Sequence, residues 1–148
     1  MLTLNPYLNF PGRAREAMEF YQEVFGGELT VDTFGSFGGT DDPADADLVM
    51  HAQLETPQGF TLMAADTPSS MSHHAATGFS VSIRGDDEPA ARRFWDALST
   101  DGNVTMPLGD APWGGLFGML TDRFGISWLV SVDPATEDAG GRTAAAAS

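Results

Sequence analysis

A chain of 148 residues with 42% apolar side chains can build one core, or two small ones, without a metal ion or a disulfide to staple it. Cysteine is absent, which excludes disulfides, thiolate catalysis, zinc ribbons and iron–sulfur clusters and fits a reducing compartment. Twenty-one acids against seven arginines and no lysine give a formal charge of −14, which repels phosphate backbones, excludes nucleic acid as a partner and would attract a cationic small molecule.

The first residues carry no base ahead of their short apolar run, and no stretch approaches the ~18 apolar residues of a membrane span, so no membrane partner and a cytoplasmic location are expected. Residues 4–10 predict a strand, which Pro11 and Gly12 turn into a helix over 13–25. Ala14, Ala17, Met18, Tyr21, Val24 and Phe25 keep the 3.6-residue period of that helix, and Gly26-Gly27 ends it. A second strand is predicted over 28–34. The segment 35–47 is rich in glycine and aspartate and offers little to offset the entropy of ordering, so a mobile loop is expected there. Residues 48–56 and 60–66, joined by Pro57-Gln58-Gly59, predict a hairpin that completes a βαβββ module over 1–66.

A linker over 67–77 carries the adjacent histidines His73 and His74, expected to face solvent. A second module over 78–133 then repeats the order: strand 79–83, helix from 87 or 88 to 99, and strands near 103–107, 116–121 and 126–132. Asp86 or Asp87 is placed to cap the second helix, with Pro89 in its first turn, where a missing N–H costs nothing. From residue 134 an alanine, glycine and acid-rich tail is expected to be disordered.

The modules are copies of one pattern. Ala17, Phe20, Tyr21 and Val24 recur 74 residues later as Ala91, Phe94, Trp95 and Leu98, and the strand pair flanking Gly59 recurs 66 residues later around Gly125. The difference between the two offsets is the loop at 35–47, present in one copy only. Two similar halves facing one another would enclose a space, which is where a ligand is expected.

These paired modules, with Asn5-Pro6-Tyr7-Leu8-Asn9-Phe10, Ala14-Arg15-Glu16-Ala17, Phe20-Tyr21, Phe25-Gly26-Gly27, Val49-Met50-His51-Ala52, and Met106-Pro107-Leu108-Gly109-Asp110 followed by Trp113-Gly114, resemble the PhnB-like branch of the vicinal oxygen chelate superfamily, which includes glyoxalase I, extradiol dioxygenases and bleomycin-resistance proteins. The resemblance spans about residues 4–132. It implies an α+β fold whose two modules curl their mixed sheets around a cleft, commonly completed in a homodimer, and it leaves function open because that fold hosts lyases, isomerases, oxygenases and non-catalytic drug binders.

Metal-dependent members of that superfamily hold a divalent ion with four side chains, one on the first strand and one on the hairpin of each module. Counted from the shared landmarks, these positions fall on Pro6, Gln53, Phe79 and Leu129. Proline, phenylalanine and leucine offer no ligand atom and Gln53 only a weak neutral oxygen. A slip of one residue brings in Asn5, Ala52, Gly78 or Trp128, which is no better. The expectation is therefore no metal site and no cofactor.

Strand alternation places His51, Gln53 and Glu55 on one face, a polar strip on an apolar wall. His51 with Glu55 is the candidate acid–base pair, set against the plainer reading of a hydrogen-bonded strand histidine. By the same alternation Leu8, Met63, Val81, Phe117, Met119 and Ser131 are assigned to the faces of the four former ligand positions. Trp113, between turn formers, is a candidate lid. The candidate ligand-binding residues are thus Leu8, His51, Gln53, Met63, Phe79, Trp113, Phe117, Met119 and Leu129, suited to a small apolar or aromatic ligand. No nucleophile elbow, phosphate loop or dinucleotide fingerprint is present. The first expectation is a metal-free small-molecule-binding protein. Its rivals are a glyoxalase- or dioxygenase-type enzyme with a non-standard metal site and a non-catalytic structural or regulatory dimer.

Overall fold

The computed structural model describes residues 1–38 and 42–135, and the expected disordered tail lies almost wholly outside that range. The first four-stranded sheet is built from β1 (Tyr7–Phe10), β2 (Glu28–Thr33), β3 (Val49–Glu55) and β4 (Thr61–Asp66) in the order β1-β4-β3-β2, with helix α1 (Ala14–Phe25) between β1 and β2. A second sheet has the same order, β5-β8-β7-β6, from β5 (Val81–Gly85), β6 (Asn103–Asp110), β7 (Leu116–Thr121) and β8 (Ser127–Val132), with helix α2 (Glu88–Ser99) after β5. In each, the first strand pairs parallel to the last and the remaining pairs are antiparallel. The chain is thus α+β, two βαβββ modules with open sheets, and its contacts divide it into two compact units after Phe79.

Each helix buries its apolar stripe on one face of its own unit. Ala14, Ala17, Met18, Phe20, Tyr21 and Phe25 of α1 are buried, as are Ala91, Phe94, Trp95 and Leu98 of α2. Leu8, Ala52, Leu54, Leu62 and Ala64 supply the first sheet's half of the core, and Leu120, Trp128, Val130 and Val132 the second's. Each large side chain buried in this way contributes about 1.5–3 kcal/mol. The opposite face of each sheet carries no helix of its own unit and is the less buried one.

Three local expectations are corrected. β1 begins at Tyr7 and not at residue 4, since Pro6 cannot donate to the ladder and joins only through its carbonyl, which accepts from the Met63 N–H at 3.1 Å. β5 begins at Val81 and not at 79, leaving Phe79 outside the strand. The segment 35–47 is not structureless in its described part: it forms 3-10 turns at Gly35–Phe37 and Pro43–Asp45, and Asp45 is buried. The reason is polar rather than apolar. The Asp45 carboxylate accepts the Ser69 hydroxyl at 2.7 Å and the Ser69 N–H at 3.1 Å, and Asp42 accepts the Ala44 N–H at 2.9 Å.

Candidate functional site

The strand registers decide which side chains share each open face. In the first unit one row across the sheet runs Thr30, Gln53, Met63, Tyr7, and the next pairs Asp32 with His51. Leu8 pairs with Ala64 and Ala52 in the alternate row, on the helix-covered face, and is 2% exposed. Leu8 was expected on the wall with Gln53 and Met63; it belongs instead to the core, and Tyr7 takes its place. In the second unit the rows on the open face run Ser82, Leu129, Met119, Met106 and Arg84, Ser131, Phe117, Gly109. Val81 pairs with buried Trp128 and so also turns to the helix side. Both corrections have one cause. Counting from helix landmarks across a turn of uncertain length shifts the first strand of each module by one residue, which inverts its faces.

Within the first unit the structure joins His51, Gln53 and Glu55 and adds Tyr7. The Tyr7 hydroxyl lies 3.1 Å from His51 Nδ1, His51 Nε2 lies 3.4 Å from Gln53 Oε1, and Gln53 Nε2 donates to Glu55 Oε1 at 3.1 Å. The Tyr7 and His51 rings are inclined by 34° with centroids 5.7 Å apart. Partial burial raises the Tyr7 phenol above its usual value near 10, although the residue as a whole is 44% exposed. The signal for Tyr7 was present in the sequence: Leu8 and Phe10 are the apolar alternates of this strand and should face the core, which turns Tyr7 and Asn9 outward.

The second open face is apolar and thioether-rich. Leu129, Met119 and Phe117 lie there as expected, with Met106 added by the register. Trp113 sets its ring edge-on to Phe117 at 5.5 Å and 70° and is 67% exposed. Phe79 is 53% exposed and pairs with no strand. His73 accepts from or donates to Thr67 Oγ1 at 3.2 Å, while His74 is exposed.

The donor set can be tested against a divalent ion. The rows through Gln53 and Leu129 hold hydroxyls, thioethers, an amide and hydrocarbon, with no imidazole or carboxylate. Among the described residues no three His, Asp or Glu gather closely enough to hold a metal. Thioethers and neutral oxygens do not fit the hard or borderline divalent ions that imidazole and carboxylate hold.

Tandem βαβββ modules, each a helix on a four-stranded mixed sheet with the other face open, define the architecture of the vicinal oxygen chelate proteins. The chain belongs to the glyoxalase/bleomycin resistance protein/dioxygenase superfamily, whose family model matches residues 3–130. It is 39% identical to protein PA1353 from Pseudomonas aeruginosa, whose crystal structure superposes with a TM-score of 0.78 over 91% of this chain and 100% of that one. A PhnB protein from Bacillus cereus matches at 26% identity and a TM-score of 0.68, covering 88% and 99% of the two chains. Protein YjdN of Escherichia coli is 26% identical over 144 residues, 88% of this chain and 95% of that protein. No helix among the described residues is long and apolar enough to cross a membrane.

Proposed function

We propose that this protein binds a small apolar or aromatic molecule on the open face of a sheet without a metal ion. The observation that carries the reading is the composition of those faces. Tyr7, His51, Gln53 and Glu55 form a connected polar strip beside Met63, and Leu129, Met119 and Phe117 form an apolar wall in the second unit. A wall of apolar and thioether groups with a few fixed polar atoms selects a ligand by shape and orients it by one or two hydrogen bonds. Phe79 of the first unit and Trp113 of the second, where it packs edge-on against Phe117, are both exposed and add aromatic surface to their own units. The proposal includes a cytoplasmic homodimer, in keeping with the absence of cysteine and with the resemblance to PhnB-like proteins.

Elemental analysis of protein purified without chelator, with native mass spectrometry of the same sample, tests this directly. Substoichiometric metal and a retained or readily titrated small molecule are expected, with Gln53→Ala and His51→Ala weakening the complex. Near-stoichiometric iron, nickel or zinc that is lost in His51→Ala would overturn the proposal and make the protein a metalloenzyme with an unusual site.

A further inference from the structure

The polar strip of the first unit has a direction, and that direction names the ligand's chemistry. A carboxylate only accepts, so Glu55 compels Gln53 to present its NH2 group, at 3.1 Å. With its nitrogen so placed, Gln53 turns Oε1 toward His51, and an oxygen there requires the imidazole hydrogen on Nε2. In the neutral ring His51 Nδ1 is then a bare lone pair, and it takes the hydrogen of the protonated Tyr7 phenol. Each hydrogen bond of the strip therefore runs toward Glu55. The phenol oxygen at the free end, its only hydrogen already given to His51, is left with lone pairs alone for any molecule that docks on this face.

Resting on the proposed ligand-binding reading, we infer that Tyr7 is the polar anchor of this face and that it accepts from a ligand carrying a hydrogen-bond donor, an ammonium or amidinium group on an apolar or aromatic body. The charge of the surroundings favours the cation. On this face strands β1 to β4 carry Glu28, Asp32 and Glu55 and no arginine, and Asp32 stands opposite His51 across the β2–β3 ladder. An anionic head group would meet the lone pairs of Tyr7 and the Asp32 carboxylate with no cationic group to offset them, whereas a donor extends a chain in which each hydrogen bond polarises the next. Met63, in the row of Tyr7 and Gln53, supplies apolar contact for the body of the ligand.

Three probes of equal size and different head groups test this: benzylammonium, benzyl alcohol and benzoate. Each is titrated into the 15N-labelled full chain at pH 8, with the His51 ring nitrogens and the amides of β1 and β3 followed by NMR. In the free protein His51 should show a protonated Nε2 and a bare Nδ1; a protonated Nδ1 at this pH would overturn the direction of the strip. Benzylammonium should perturb the amides around Tyr7, His51 and Gln53 and bind about tenfold more tightly than benzoate, as one charge-assisted hydrogen bond allows. Tyr7→Phe should erase most of that preference, and Glu55→Gln, which releases the amide orientation, should reduce it. If benzoate perturbs the same amides as strongly as benzylammonium, the donor preference is wrong while ligand binding at this face stands. If none of the three moves these amides, the ligand-binding reading and the inference built on it both fall.

Discussion

Single buried carboxylates do work in this fold that apolar packing does not. Asp66, 4% exposed at the end of β4, accepts the Ala14 N–H at 2.8 Å through one oxygen and the Val49 N–H at 2.9 Å through the other, tying the start of α1 to the start of β3. Asp122, equally buried, accepts the Phe124 and Ile126 N–H groups and the Trp128 indole N–H, at 2.8, 3.0 and 2.8 Å. Asp66→Ala leaves two backbone donors unpaired in the interior, and at about 1–3 kcal/mol for each group it should cost about 3 kcal/mol. Urea unfolding should show this as a lower midpoint with unchanged slope. Tyr7 acts through protonation. Its folded pKa is raised by burial, so the unfolded chain ionises first, and stability that is whole below about pH 10 should fall as the pH rises through the folded value. Thermal melts from pH 8.5 to 11.5 should show less of this alkaline loss in Tyr7→Phe; an identical profile would mean that Tyr7 carries none of it.

At the scale of elements, the two modules solve one problem in two ways. Asp87 caps α2 by accepting the Ala90 N–H at 3.0 Å, but the residue 74 positions earlier is Arg13, whose side chain caps nothing. α1 instead takes its first N–H partner from Asp66 on a distant strand, where the second module, 66 positions on, has Val132. Asp87→Ala should therefore cost about 1 kcal/mol, and Arg13→Ala less than about 0.5 kcal/mol, since its exposed ion pair with Glu16 at 3.4 Å contributes little. Packing is redistributed in the same manner. Gly118 lies beneath the ring of Trp95, and a β-carbon there would stand 2.7 Å from Trp95 Cη2 and 2.9 Å from the Leu108 Cα; the counterpart residues in the first module are Ala52 and the smaller Tyr21. Gly118→Ala should destabilise by about 1–3 kcal/mol in chemical denaturation, and a Trp95→Tyr background should recover part of it. The hairpin turns, by contrast, are conserved between modules. Thr56 and Asp122 each bond to the residue four positions on, and Gly59 and Gly125 both adopt φ 86°, which a side chain would resist. That constancy made Gly59 and Gly125 sound landmarks for the hairpin strands. The first strands offer no such landmark, and spacing from the helices places their faces one residue out.

For the whole molecule, the duplicated pattern and the charge set the behaviour. A net charge of −14 on 148 residues opposes compaction by self-repulsion, and screening relieves it, so the melting temperature should rise by a few degrees between low salt and about 0.3 M NaCl. A flat or falling response would mean that the acids are already locally balanced. The repeat of helix and hairpin, the cysteine-free composition and the alternation of His51, Gln53 and Glu55 were all legible in the linear chain, because each depends on spacing within one element or on a count of residue types. The fixing of Asp45 by Ser69 and the meeting of Tyr7 with His51 across 44 positions were not. Those depend on which residue of one strand lies opposite which residue of another. That register is set by turn geometry and by the burial of one face against a helix, and it exists only once the strands have paired.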